Sequence, residues 1–275
     1  MPLTIGESIE NSLRPRNILV AADFSLDSRA AIAYATAFAR SYAAKLFLVH
    51  VVSPESYPLL HAESIRAAFG RFIRKAERRI KELSTSEQLR EIPHRPLLDA
   101  CPASTLDEVI GEHDINLVIL GASSRFAFNR LLLRSAAESV FRSSCAHILA
   151  LGPNTQTPDS ANRGFRRVLY PTEHLEQSPW IVPDAMLIAA YHSAHLTILH
   201  ALHEQSTASL YRLFKPELDR EIERFLPHMP NSWHDSETRV ECGKPAQTVL
   251  RIARVDHADL IVLGVTPLDF AAGAF

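Results

Sequence analysis

Ile18-Leu-Val-Ala-Ala-Asp23-Phe-Ser25-Leu-Asp-Ser28, with the alanine-rich stretch Arg29 to Tyr42 behind it, decides the fold. The run Ile18 to Ala22 is short, wholly apolar and bounded by turn residues, so it predicts a strand buried on both faces. The segment after it is long and rich in helix formers and predicts a helix. Lys45 to Val52 is a second apolar run that stops at Ser53-Pro54. From Ala62 to Leu83, apolar Ile65, Ala68, Phe69, Phe72, Ile73, Ala76 and Ile80 recur at helical spacing with Arg and Lys between them, the pattern of a long amphipathic helix. His94 to Asp99 predicts a third strand, Thr105 to Glu112 a helix, Leu117 to Gly121 a fourth strand, Ser135 to Arg142 a helix and His147 to Leu151 a last strand. Strands apolar on both faces and alternating with helices imply an α/β fold, a parallel sheet covered by helices.

The pattern then starts again. RVLYPT at Arg167 to Thr172 repeats NILVAA at Asn17 to Ala22, and LTILHAL at Leu196 to Leu202 repeats LFLVHVV at Leu46 to Val52, which sets His200 opposite His50. Pro245-Ala246 matches Pro102-Ala103, and ADLIVLG at Ala258 to Gly264 matches INLVILG at Ile115 to Gly121. Self-similarity of this kind reads as a tandem duplication. The expected organisation is a first domain over 1–152, a polar Pro/Gly/Asn/Ser linker over 153–164 and a second domain over 165–275. Nothing in the second copy matches Ser135 to Leu151, so it is expected to lack the last helix and strand. Its sheet edge is then either completed by another chain or copy, or left short and covered.

At 275 residues, the chain has nearly two domains' worth of sequence at about 150 residues each. A hydrophobic fraction of 47% and a charged fraction of 22% supply real cores and exclude wholesale disorder. Lys plus Arg is 29 against 31 for Asp plus Glu, a net charge of -2, which leaves no overall electrostatic footprint for nucleic acid or an anionic membrane. Cys101, Cys145 and Cys242 are few, odd in number and lack CxxC spacing, as in a reducing compartment. Met1 to Asn17 carries Glu7, Glu10, Arg14 and Arg16 and no apolar leader core, and no apolar run approaches about eighteen residues. The reading is a soluble, cytoplasmic protein.

Three stretches carry a resemblance. They are Ile18 to Ser25, the run Leu48-Val-His50-Val-Val52, and Leu117 to Gly121 followed by Leu131-Leu-Leu-Arg134-Ser135-Ala-Ala-Glu138-Ser-Val140. In this order they resemble strand one, strand two and strand four to helix four of the universal stress protein family, and the chain looks like a tandem member of it. The resemblance covers most of 16–152 and, more weakly, 165–266. It implies two doubly wound sheets with ligands at the carboxyl ends of the strands, where strand order reverses. In ATP-binding members an acid after strand one and backbone at the end of strand two hold adenosine, and a pattern Gly-x2-Gly-x9-Gly-Ser/Thr wraps the phosphates. The matching positions here are Asp23, Val51, Gly121, Ser124, Arg134 and Ser135.

Two of the three glycines are therefore Ser124 and Arg134. Glycine serves such loops because a Cβ obstructs close approach of backbone N–H groups to phosphate. Ser124 keeps a donor. Arg134 either fills the pocket or offers its guanidinium to a phosphate. In the second copy Glu173 replaces the acid and the phosphate pattern after Gly264 is missing, so no nucleotide is expected there.

Each candidate also has a plainer structural role. Asp23, Ser25 and Ser28 suit the cap of a helix starting near Arg29, and Ser135 suits a helix start as well as a phosphate. His192, His195, His200 and His203 are better explained by structure than by metal, since there is no HExxH and no nearby Cys. The cations of Arg66 to Lys81 are interleaved with Glu63, Glu77 and Glu82, the composition of a solvated helix face. Cys101 beside Pro102 has no visible cation to activate it. GxxxxGK, GxSxG and paired-carboxylate motifs are missing, so the chain is not read as an enzyme. The leading expectation is a stress-type regulatory protein with at most one degenerate ATP site, paired domain to domain or as a dimer. A nucleotide-independent interaction scaffold is the alternative, and a slow ATP hydrolase the further one.

Overall fold

The computed structural model describes residues 14–22, 24, 26–51, 62–99, 104–121, 146–152, 155, 164–172, 181–202, 208–230 and 233–264. They fall into two compact units. The first unit contains β1 (Asn17–Ala21), α1 (Leu26–Tyr42), β2 (Lys45–Val51), α2 (Ala62–Ser84), β3 (His94–Asp99), α3 (Ser104–Glu112), β4 (Leu117–Gly121) and β5 (His147–Leu151). The second contains β6 (Arg167–Thr172), α4 (Ile181–His192), β7 (His195–Leu202), α5 (Ala208–Phe225), β8 (Ser236–Cys242), α6 (Pro245–Val255) and β9 (Leu260–Ile261).

Every strand pair is parallel. The first sheet has the order β3-β2-β1-β4-β5 and the second β8-β7-β6-β9. The chain winds outward from its first strand in one direction and then in the other, as the sequence pattern required. Burial follows the pleat. Leu19, Phe47, Val49 and Val118 pack against Ile110 of α3 on one face, while Ile18 and Val20 of the same central strand are buried on the other. In the second unit Leu169 and Leu199 meet Ile252 of α6, and Val168, Tyr170, Leu196 and Ile198 meet Val182, Ala185 and Met186 of α4. Both faces are thus covered, which is why these strands read as unbroken apolar runs.

The duplication is visible at the level of single residues. Asn17 pairs with Lys45 as Arg167 pairs with His195, a shift of 150 residues on both strands. Helices α1 and α4 both end on a residue in the left-handed region, Ala43 at φ 53° and Ser193 at φ 52°, and α3 and α6 do the same with Asp114 at 48° and His257 at 51°. In all four cases the next amide bonds back five residues, Ala44 to Ala39 at 2.9 Å, Ala194 to Ala189 at 2.8 Å, Ile115 to Ile110 at 3.0 Å and Ala258 to Ala253 at 2.8 Å. This is the closure that usually takes glycine; here four side chains tolerate it.

A second repeated device sits at the amino end of each sheet. The Asn116 Oδ1 accepts from the amides of Arg16 and Asn17 at 3.0 and 3.1 Å, and Asp259 accepts from those of Arg166 and Arg167 at 2.8 and 3.1 Å. Each side chain clamps the start of the central strand to the start of its late-coming neighbour. Asn116→Ala is expected to cost about 0.5–1.5 kcal/mol by removing these partly exposed hydrogen bonds, read in denaturant melts of the full chain. An unchanged midpoint would contradict the clamp.

The second sheet has four strands among the described residues, one fewer than the first. Its strand β9 is also only two residues long where β4 has five, although the Val262 amide still bonds the Leu169 carbonyl at 2.9 Å. Strand β4 is held on both sides, by β1 and β5, whereas among the described residues β9 pairs with β6 alone. Helix α1 begins at Leu26, earlier than the expected start near Arg29, so Ser28 lies within its first turn. Its hydroxyl donates to the Ala21 carbonyl at 3.4 Å. Elements α5 and β8 were not legible in the sequence. The expected linker and the helix over Ser135 to Arg142 lie almost wholly outside the described residues.

Candidate functional site

In the first unit strand order reverses between β1 and β4, with Val20 opposite Ile119. The crevice of such a sheet opens at the carboxyl ends of these two strands. Gly121 is the last residue of β4 and is buried, and Val51 is the last residue of β2. Asp23 follows the end of β1 in sequence by two residues. The positions of Asp23, Ser124, Arg134 and Ser135 lie outside the described residues, as do Glu173 and His203.

The backbone on either side of Asp23 is held by a small aromatic assembly. The Ala22 amide continues the ladder to the Val49 carbonyl at 2.8 Å. The Ala22 carbonyl is hydrogen-bonded by the His50 Nδ1, and since a carbonyl only accepts, that nitrogen carries the proton. On the other side, Phe24 takes φ 61° and lays its ring 4.7 Å from the His50 ring. A bulky side chain in the left-handed region costs about 1–2 kcal/mol, and here the ring contacts both His50 and Arg79. The Arg79 guanidinium of α2 stands 5.4 Å from the centre of the Phe24 ring.

The second unit repeats the histidine with a different ring partner. His200 is buried and its Nδ1 bonds the Thr172 carbonyl at 2.9 Å, while its ring partner is Phe214 of α5 at 4.5 Å. Asp184 of α4 and Tyr170 of β6 are two titratable groups with shifted protonation in this unit. Burial pushes the Asp184 carboxyl up to about 6. Burial also raises the Tyr170 hydroxyl, a hydrogen bond with Thr172 opposes this, and the Asp184 charge adds to it. A sequence signal for Asp184 existed: it is the only acid in the otherwise uncharged run Ile181 to Tyr191.

The remaining candidates have structural partners. The His195 Nδ1 bonds Asp235 at 2.7 Å, beside the Glu237, Arg239 and Asp256 ion pairs. His192 packs edge-on to Phe165 and fills the space over Gly164, where an added Cβ would fall 2.9 Å from its Nδ1. Among the described residues no group of three His, Cys, Asp or Glu side chains could hold a metal ion. Cys242 is an exposed free thiol at the end of β8, and Cys101 and Cys145 lie outside the described residues. No helix among the described residues is long and apolar enough to cross a membrane.

Comparison with known proteins follows the same division. The sequence profile of the universal stress protein family matches residues 15–150 and again 164–275. Universal stress protein D of Escherichia coli strain K12 is 24% identical over 99 residues, 32% of this chain and 68% of its own. Among solved structures, a universal stress protein from Archaeoglobus fulgidus DSM 4304 is 15% identical with a TM-score of 0.61, over 93% of this chain and 89% of that one. At that identity it supports the fold alone. A universal stress protein solved in complex with cAMP is 23% identical, covering 50% of this chain and 97% of its own with a TM-score of 0.32. Two α/β units, each with the parallel order that runs outward from its first strand, and two successive profile matches establish that the chain belongs to the universal stress protein family and carries its domain twice.

Proposed function

We propose that this protein is a cytoplasmic regulatory member of its family, with one weak adenine-nucleotide site in the first unit, none in the second, and no catalysis of its own. The observation that supports this most is the pinning of the chain on both sides of Asp23, at Ala22 by His50 and at Phe24 by His50 and Arg79. A carboxylate between these two held neighbours would accept from two ribose hydroxyls, with the flanking backbone already ordered. Val51 would contribute strand-end backbone to the adenosine. Gly121 permits close approach of a phosphate at the end of β4, with Ser124 and Ser135 as hydroxyl donors and Arg134 as the countercharge.

This donor set fits an adenosine better than a triphosphate, because one glycine of three remains. ATP is the candidate ligand, and protein partners would read its presence. No lysine or carboxylate pair stands in the Gly121 to Ser135 segment to drive hydrolysis, so phosphate release above buffer is not expected. The replacement of two glycines by Ser124 and Arg134 favours a second reading, an interaction scaffold that needs no nucleotide.

Thermal unfolding with and without ATP separates the two. For a Kd near 0.1 mM, 10 mM ATP adds about 2.7 kcal/mol of stability, a rise of several degrees that Asp23→Ala removes. No shift at 10 mM in the parent chain would leave the scaffold reading.

A further inference from the structure

The outward face of α2 carries a marked excess of cations over carboxylates. Arg71, Arg74, Lys75, Arg78, Arg79 and Lys81 are all exposed, and only Glu77 and Glu82 are exposed with them. The helix presents Ala76 and Ile80 to the core, so its other side is fixed toward solvent. Arg71 and Lys75, Arg74 and Arg78, and Lys75 and Arg79 stand four apart, like-charge spacings that work against the helix and outnumber the opposite-charge spacings Glu77 to Lys81 and Arg78 to Glu82. Among the described residues none of the six is in an ion pair, and Arg79 is held instead over the Phe24 ring.

The duplicated helix provides an internal comparison. Helix α5 occupies the same place between the second and third strands of its unit, with four Lys and Arg against four Asp and Glu, where α2 has seven against three. In α5 the i,i+4 neighbours include an ion pair, Lys215 to Asp219 at 2.8 Å. Over the two family segments the first has 17 Lys and Arg against 14 Asp and Glu, and the second 10 against 14. The fold accommodates a neutral helix here, so a helix with a cationic excess is a property of this surface and not of the architecture.

We propose that the exposed face of α2 is a docking surface for an acidic helical segment of a protein partner. Charge complementarity calls for an anion. Glu82 lies within the cationic arc and repels a phosphodiester chain, whereas a protein helix answers it with a basic residue of its own. A net charge of -2 and a pI of about 6.7 for the chain also disfavour a nucleic-acid backbone. The neighbouring sheet edge is closed to strand addition, because Pro96 lies in β3 and Arg95 beside it is exposed. A partner on this side therefore engages helix side chains.

The test uses the full chain, a labelled helical peptide rich in Glu with a few Lys, and a single-stranded DNA 20-mer, by fluorescence anisotropy in 50 mM salt. The peptide is expected to bind, to lose about tenfold or more in affinity for Arg74→Glu/Arg78→Glu, and to be released by 1 M salt, where screening shortens to about 3 Å. Arg220→Glu/Arg224→Glu in α5 is expected to leave binding unchanged. Arg74→Gln/Arg78→Gln, which adds no repulsion within the helix, is expected to weaken binding by a smaller factor, with circular dichroism confirming that both variants are folded. Equal affinity of the parent and the α2 variants, failure of the peptide to bind, or tighter binding of the DNA would overturn the proposal.

Discussion

Asp184→Asn is expected to stabilise the second unit by about 2–3 kcal/mol at pH 7.5 and by almost nothing at pH 3. The carboxyl is pushed from 3.8 to about 6 by burial in the α4 layer, and each unit of difference between folded and unfolded chains is worth about 1.4 kcal/mol. Below the unfolded value both states hold the proton and the group is neutral in its effect. Between about pH 4 and 6 the unfolded chain ionises first, so stability falls as pH rises, and above 6 the full penalty is present. Asparagine keeps the shape and removes the titration. Urea melts from pH 3.5 to 8 would give a declining difference curve between parent and variant through that window. Parallel curves would show that Asp184 is solvated or paired when the protein is folded.

Trp233→Ala is expected to cost the second unit about 3–5 kcal/mol, the range for emptying a buried indole site. Trp233 is buried with Ala194, Leu196 and Met229, and its indole N–H donates to the Ala194 carbonyl at 3.0 Å. That carbonyl follows the left-handed Ser193 at the junction of α4 and β7, so the indole ties the helix exit to the sheet. Trp233→Phe keeps most of the apolar area and loses only the donor, for about 1–2 kcal/mol. Chemical denaturation followed by circular dichroism ranks the two. An alanine variant within 1 kcal/mol of the parent would mean that the indole is not a structural member of this core.

The legible part of the fold is the part where the chemistry is local. Ile18 to Ala22, Leu46 to Val49, Leu117 to Ile119 and Val168 to Tyr170 are buried without interruption, and continuous apolar runs announce such strands directly. The half-exposed β8 alternates charge with apolar residues at Glu237, Arg239 and Glu241, each held by an ion-pair partner, and α5 has Pro216 within it; neither advertises itself. Equivalence of the copies was readable from His50 and His200, yet the clamps at Asn116 and Asp259 were not, because a single polar residue before a strand has no periodicity. For the candidate site, Gly121 and Val51 were placed at strand ends by their own runs. The role of Phe24, in contrast, depends on His50 and Arg79, which are distant in sequence, and on a backbone angle that nothing in the order Asp-Phe-Ser specifies.

The central strand of each unit is also its first to be made. Ile18 waits 99 residues for its partner Leu117, and Val168 waits 92 for Leu260. At ribosomal rates of roughly 5–20 residues per second, β1 emerges about 5–20 s before the neighbour that closes its second side. During that interval the nascent chain exposes one flank of its most apolar strand, bonded only to β2, and each half of the protein passes once through this vulnerable interval.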